Sequence, residues 1–446
     1  MHKIKAGEQV EITTKDNSYK GLVMPSTNDE TVFLRLSSGY QIGILKKNID
    51  SVKLIESEKN QKKEIIEEHK PHKKDMKSDA KFNAKLPIIS ILHTGGTFAS
   101  KIDYKTGAVT PRFSPDELIG MFPELQQIAN IKSRLVRNMF SENMRFQHYN
   151  LLAKEIKAEI ESGVDAVIVT HGTDTLHYSA AALSFAIEHL TVPVILVGSQ
   201  RSSDRGSTDA SLNLINAAYF AAHTQAAGVF ICMHASSNDD YCAIIPGTRA
   251  RKMPTSRRDA FKAINSIPLA MVDYNKKEIN SLMKEYEKKD VNRKIELKLF
   301  NEKLKIGMLY QHTHMYAEQF SFFDDYDGVV ILATGLGNLP IIENDEFTAE
   351  NTKITKALQH LVKKGVVIAL AQETIYGRII LTVYEPQRTL LQIGVLGNEC
   401  DMTPETAFIK LAWLLSNYKK EDVKTLYSKN LRGELSERLS YETYDE

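Results

Sequence analysis

The hydrophobic pattern of this chain changes period twice, and each change marks a different kind of structure. In the first 55 residues the period is two. Gln9–Thr14 alternates polar and apolar side chains, and Tyr19–Met24, Thr31–Leu36 and Tyr40–Ile44 read as further strands, with turn residues gathered at 15–18, 25–29 and 37–39. Short strands at this spacing predict a small all-β barrel of the SH3-like or Tudor-like kind, a docking module with no catalytic pair of its own. Residues 56–85 carry nine lysines and seven acidic side chains in thirty positions, with Ile65-Ile66 as their one apolar pair. That is too little apolar surface for a core, and it predicts a charged linker.

From residue 86 onward short apolar runs alternate with stretches of helical periodicity. Ile88–Leu92, Asp165–Thr170, Val192–Val197 and Gly228–Met233 read as strands buried on both faces. Ile131–Met139 is a further strand candidate. His148–Ser162, Ala180–Ile187 and Asp209–His223 carry the helical period, and Ser114-Pro-Asp-Glu117 has the form of a helix start. This βαβα rhythm predicts an α/β domain over 86–278, with a mainly parallel sheet covered on both faces. A charged connection follows at 279–300. A second α/β domain occupies 301–446, with strands at 306–310, 328–333 and 365–370, a helix at 348–363, and a last helix opened by Thr403-Pro404.

Composition narrows the class without changing this picture. Lys+Arg 57 against Asp+Glu 56 leaves a net charge of +1, so the overall balance does not call for a nucleic-acid partner. The three cysteines, Cys232, Cys242 and Cys400, are scattered and odd in number, which suggests a reducing compartment and no disulfide framework. No apolar run is long enough for a membrane span and the N-terminus lacks the apolar core of a signal peptide, so a cytoplasmic protein without membrane attachment is expected.

The chemistry gathers where buried strands end. The first runs into Thr94-Gly-Gly-Thr97 and the second into His171-Gly-Thr-Asp174. Parallel strands deliver both loops to one edge of the sheet, where α/β ligand crevices lie, so Thr97, Thr173 and Asp174 are expected to converge. The first loop admits three readings. It could be a plain glycine turn, a phosphate cradle, or a loop presenting a nucleophilic hydroxyl beside an oxyanion site. It matches neither phosphate-binding glycine pattern, and no lysine follows its glycines. A threonine hydroxyl needs a base. Asp174 is a weak one in water, and a lysine whose pKa is lowered by burial serves better. Pro246–Pro254 offers Lys252 in a loop, where the ordinary state of a lone lysine is a solvated surface group.

Thr94–Thr97 followed by Phe-Ala-Ser100, and Thr170-His-Gly-Thr-Asp-Thr175, resemble the two signature motifs of the bacterial-type L-asparaginases. The likeness runs over about 86–420 and includes Ser141–Met144, Gly198–Arg201 and Asp401–Glu405. A barrel and charged tether ahead of such an enzyme resemble the D-subunit (GatD) family of archaeal Glu-tRNA(Gln) amidotransferases. The resemblance implies a catalytic set of Thr97, Thr173, Asp174 and Lys252. Thr97 takes the place of the threonine that attacks the side-chain amide, and a Thr173-first order stays open. Tyr104 takes that of a tyrosine on a closing loop at 101–112. Ser141 and Glu142 stand at positions that hold the α-carboxylate and α-amino ends of the substrate. Glu142 stands where simple asparaginases often carry Gln, and Phe98 where Ile is commoner.

The resemblance further implies an ammonia-supplying glutaminase with no metal or other cofactor of its own, working in an amidotransferase whose E subunit uses ATP and Mg. Expected partners are the E subunit in a D2E2 assembly, a second copy through the asparaginase-like domains, tRNA(Gln) mainly by way of the E subunit, and glutamine as amide donor. In the homodimer, the Gly335–Asn338 turn is the expected contribution to the neighbouring site. Two other readings are a free cytoplasmic L-asparaginase, which has no need of residues 1–85, and a binding protein with an inert α/β part, which the intact threonine, aspartate and lysine positions argue against.

Overall fold

The computed structural model describes the chain except for residues 1–4, 6, 16, 24–29, 37–40, 56–82, 96–99, 103–108, 112–121, 202–207, 291 and 444–446. Thr97, Gly96, Tyr104, nearly all of the charged linker and the Ser114 helix start therefore lie outside the described residues.

The N-terminal unit is an antiparallel five-stranded sheet. Its strands are β1 (Gln9–Thr13), β2 (Ser18–Val23), β3 (Thr31–Leu36), β4 (Gln41–Leu45) and β5 (Ser51–Leu54), in the order β4-β3-β2-β1-β5. The period-two pattern places Val10, Ile12, Val23, Val32, Leu34 and Ile44 in one small core. The hydrophobic pattern suggests four strands, and the structure has a fifth. Ser51-Val-Lys-Leu54 pairs with β1 and is mostly exposed, so it offers little hydrophobic signal.

The first α/β body holds an eight-stranded sheet. Five parallel strands form its centre: β6 (Ile88–His93), β7 (Asn130–Leu135), β8 (Ala166–Thr170), β9 (Pro193–Val197) and β10 (Gly228–His234), in the order β7-β6-β8-β9-β10. β11 (Cys242–Pro246), β12 (Ala270–Asp273) and β13 (Glu278–Ser281) extend it as an antiparallel meander. The charged stretch that reads as a connection thus begins inside the sheet, as its edge strand. Alternate residues of the apolar runs serve opposite faces. Leu92, Val167 and Val169 pack under helices α1 (Phe146–Glu161) and α2 (Leu176–Ala186), whereas Ile89, Ile91 and Ile168 pack under α3 (Ala210–His223). Both sides of each strand are covered, which is why the runs read as continuous rather than alternating.

The strand order creates one switch point. The chain leaves β6 toward β7 on one side and returns to β8 on the other, so the carboxyl ends of β6 and β8 border a crevice.

The second body is a parallel sheet of β14 (Ile306–Tyr310), β15 (Gly328–Ala333) and β16 (Val367–Gln372), with α4 (Ala349–Lys363) and α5 (Glu385–Ile393). Helix α6 (Pro404–Asn417) starts as its sequence dictates: the Thr403 hydroxyl accepts from the Thr406 N–H at 3.2 Å and Pro404 takes the first helical position. Its Leu411, Trp413 and Leu414 share one core with α2 and with residues of β15 and β16, joining the two bodies. Among the described residues no helix is long and apolar enough to cross a membrane.

Candidate active site

The two Gly-Thr loops meet at the switch point, Thr170 being the register partner of His93. Thr94 leaves β6 with its N–H and hydroxyl both donated to the Thr170 carbonyl, at 3.1 and 2.9 Å. Gly95 then takes φ +102°, and a Cβ there would stand 2.5 Å from the Met139 nitrogen. A glycine at the end of a buried strand allows close approach of another group. What it makes room for is the Met139 backbone and the Asn138 side-chain oxygen, with the Met139 N–H donating to the Thr94 carbonyl at 3.1 Å. Gly172 does the same for Ser141, whose Oγ would lie 2.8 Å from a Cβ at 172, and the Thr175 hydroxyl donates to the Ser141 carbonyl at 2.6 Å. Ser141 is thereby held, buried, beside the second loop. Glu142 follows it in the short turn Ser141–Asn143 and is exposed.

Thr173 and Asp174 form the single turn Thr173–Thr175 that runs into α2. Lys252 comes from the far side of the sheet. After β11 the chain makes a two-stranded ribbon, Ala250–Lys252 paired with Phe261–Ala263, and the ribbon lies along α2. Gly247 at its foot approaches α2 so closely that a Cβ would meet the Ser184 Oγ at 2.8 Å. At the tip, the Lys252 ammonium donates to Asp174 Oδ1 at 2.7 Å and to Thr173 Oγ1 at 3.0 Å. Gly198, at the end of β9, leaves the space that the Thr173 methyl fills. Lys252 is therefore not the solvated loop residue that its turn-rich flanks suggest. Its side chain is 10% exposed, against 69% for Asp174.

Two further groups support the loops, and both escape the sequence reading. His93 bonds the Thr170 hydroxyl at 2.7 Å and the Ser133 hydroxyl at 2.9 Å. His171 donates from Nδ1 to the Gly172 carbonyl at 2.7 Å and accepts at Nε2 from Ser179 at 2.8 Å, which fixes a neutral tautomer. A histidine standing directly before each Thr-Gly or Gly-Thr step is the available signal. Burial pushes both imidazoles down to about 4. The unfolded chain takes up these protons near pH 6.5, so the stabilising effect is complete above that pH and is lost as pH falls toward 4. Each histidine should remove up to about 3 kcal/mol over that window. Urea unfolding midpoints that stay level between about pH 7 and about pH 4.5 would contradict buried neutral imidazoles here.

Beside the ribbon, Glu405 lies 3.5 Å from Arg251 and 3.8 Å from His177. Burial raises its carboxyl pKa, but the proximity of His177 and the Arg251 guanidinium outweighs that and holds it low. A cavity of about 420 Å³ lies at the opposite end of the sheet, near Gly228, Pro246 and Arg432. Its charged groups answer one another within the protein, as Arg432 does Glu188 and Arg293 does Glu287, and none converges on the threonine, aspartate and lysine. Among the described residues no cluster of three or more His, Cys, Asp or Glu could hold a metal ion.

Three family models match the chain: the GatD N-terminal domain over residues 4–55, the N-terminal asparaginase domain over 88–285, and the glutaminase/asparaginase C-terminal domain over 305–426. The D subunit of the glutamyl-tRNA(Gln) amidotransferase of Methanococcus maripaludis strain C7 is 40% identical over 98% of this chain and 99% of its own length. The chain belongs to the D-subunit family of glutamyl-tRNA(Gln) amidotransferases. The corresponding D subunit of Pyrococcus furiosus is 39% identical, over 97% of this chain and 93% of its own length. Two solved structures share the asparaginase-like part of this D-subunit fold. The L-asparaginase of Thermococcus kodakarensis and L-asparaginase I of Vibrio cholerae each superpose with a TM-score of 0.67 at 25% identity, over 79% of this chain and 100% and 99% of theirs.

Proposed function

We propose that this chain is the glutaminase of a tRNA-dependent amidotransferase, releasing ammonia for the conversion of Glu-tRNA(Gln) to Gln-tRNA(Gln) by a partner, the E subunit. The observation that carries the reading is the Lys252 ammonium bonded to both Thr173 and Asp174, in a chain related over its whole length to D-subunit proteins. The partner, in this reading, activates the glutamyl carboxylate with ATP and Mg and makes most of the tRNA contacts, while this chain takes no cofactor. Two copies pair through the asparaginase-like bodies, giving a D2E2 complex in the cytoplasm.

The chemistry runs as acyl transfer. Lys252, oriented by Asp174 and acting as the base, removes the proton of the attacking hydroxyl, and the Thr97 oxygen bonds to the side-chain carbonyl carbon of glutamine. The carbonyl oxygen becomes an oxyanion, whose proposed donors are loop N–H groups around Gly96 and Thr173. A well-placed donor of this kind stabilises the transition state by about 3 kcal/mol. The C–N bond then breaks, and the nitrogen takes the proton held by Lys252 and leaves as ammonia. Water attacks the acyl-threonine, glutamate departs, and the hydroxyl is restored. Ser141 and Glu142 take the α-carboxylate and α-amino ends of the substrate, and Tyr104 closes over it.

Glutamate release from glutamine separates this reading from a free asparaginase. The isolated chain should be slow. Partner and glutamyl-tRNA together should raise its rate by favouring the closed state of the 101–112 loop. A truncated chain lacking residues 1–85 should lose that response. A full rate in the isolated chain, indifferent to partner, tRNA and truncation, would favour the free asparaginase.

A further inference from the structure

Lys252 sits at the tip of a ribbon only three residue pairs long. A two-stranded ribbon of that length has little stability of its own, so its direction is set by its packing along α2 and by whatever holds its foot. The foot is held from the second body and from the chain that follows α6. On one strand, Thr248 donates its hydroxyl to the Arg432 carbonyl at 3.2 Å, and its own carbonyl accepts from Thr406 at 2.9 Å. Next to it, Arg249 donates from Nε to the Gly433 carbonyl at 2.8 Å and from Nη2 to the Ser436 hydroxyl at 2.9 Å, with Nη1 3.3 Å from Asp401. On the other strand, Asn265 donates to the carbonyls of Gly377 and Asp401 at 2.9 and 2.8 Å. The Ser436 hydroxyl completes the bracket by donating to the Asn265 carbonyl at 3.0 Å.

The segment that supplies Gly433 and Ser436 is itself pinned. Glu434 accepts from the Leu431 N–H at 3.0 Å and pairs with Lys410 of α6 at 2.6 Å, both side chains being fully buried.

We infer that Arg249 is a positioning residue for Lys252: gripped by the C-terminal strap at Gly433–Ser436 and by Asp401, it sets the angle of the ribbon that brings the Lys252 ammonium to Thr173 and Asp174. The inference rests on the proposed role of Lys252 as base. Lys252 lies three extended residue steps beyond Arg249, a lever of about 10 Å. A tilt of about 10° at the foot therefore moves the ammonium by close to 2 Å, enough to lose both of its bonds. Displacements of about 1 Å can lower a rate by roughly a hundredfold when geometry limits the step. Arg249 itself, 3% exposed at the foot of the ribbon, is outside the reacting group.

The test uses the full-length chain in its assembled amidotransferase. Arg249→Lys keeps a cation for Asp401 and gives up the planar fork that grips Gly433 and Ser436. Ser436→Ala removes the bridge between the two strands of the foot without touching a charge. With the fold verified by thermal melting, Arg249→Lys should lower kcat for glutamine hydrolysis at least about tenfold with KM within about twofold. Ser436→Ala should lower kcat about threefold, again without a change in KM. A purely structural role would reduce the amount of active enzyme on heating and leave the kcat of the folded fraction alone. If Arg249→Lys does not fold, Ser436→Ala decides by itself. Wild-type kcat in a folded Arg249→Lys, or in Ser436→Ala where it stands alone, overturns the inference. Lys252→Met is run beside them. Activity retained in that variant would overturn the base assignment, whereas its loss together with wild-type kcat in the foot variants would overturn the positioning role alone.

Discussion

Lys252→Met should lose glutamine hydrolysis by about a thousandfold or more while melting close to the wild type. The two halves of that expectation come from different parts of the structure. Methionine matches the apolar stem of lysine, so the ribbon keeps its packing against α2 while the ammonium that bonds Thr173 and Asp174 disappears. The lost pair stabilises the fold very little, because the Asp174 side chain is 69% exposed and pairs of that kind contribute about 0–1 kcal/mol. Lys252→Arg sharpens the test. A guanidinium retains the charge and can still meet Asp174, but it does not give up a proton and cannot serve as a base. It should therefore be as inactive as the methionine variant. Initial rates at saturating glutamine, alongside thermal melts, measure both halves. A rate within tenfold of wild type in Lys252→Met would return the residue to an ordinary surface-pairing role, and an active Lys252→Arg would mean that charge alone suffices.

That the strand-end loops can be singled out in the sequence, while the setting of Lys252 cannot, has a physical reason. Buried parallel strands declare themselves locally. Each of β6, β8, β9 and β10 is a short apolar run ending in small or polar residues, so their existence, and the shared edge on which their loops emerge, follow from the sequence pattern. Thr403 and Pro404 likewise announce α6, because a helix start depends on neighbours in sequence. The ribbon is different. Ala-Arg-Lys and Phe-Lys-Ala are too short and too polar to read as strands, and they become strands through pairing with each other and support from Gly377, Asp401 and Ser436. Those partners lie more than a hundred residues away, beyond any local pattern. The antiparallel meander β11–β13 escapes for a related reason: Glu278–Ser281 is an exposed edge whose charges resemble those of a connecting segment. Gly95 and Gly172 are plain in their motifs, but only the fold reveals that Met139 and Ser141 are what approach them.

The two threonines should separate under trapping. Thr97→Val is expected to lower amide hydrolysis by roughly 10⁴-fold or more and to form no covalent intermediate, since valine keeps the shape of the side chain and removes the attacking oxygen. Thr173→Val should be comparably slow overall, for a different reason. Gly198 leaves the niche occupied by the Thr173 methyl, which turns the hydroxyl toward Lys252 at 3.0 Å. A hydroxyl held in that way by the base is suited to ordering and activating the water of the second half-reaction. With the hydroxyl gone, acylation of Thr97 can still draw on Lys252, whereas deacylation loses its ordered proton path, and the glutamyl ester should accumulate. Acid quenching in the presence of glutamine, followed by peptide mass analysis, reads the outcome directly. The expected adduct in Thr173→Val lies on the peptide containing Thr97, and Thr97→Val carries none. An adduct on the peptide containing Thr173 in the Thr97→Val protein would reverse the order of the two hydroxyls. The side chain bonded to Lys252 would then be the nucleophile, and Thr97 the residue that serves the water.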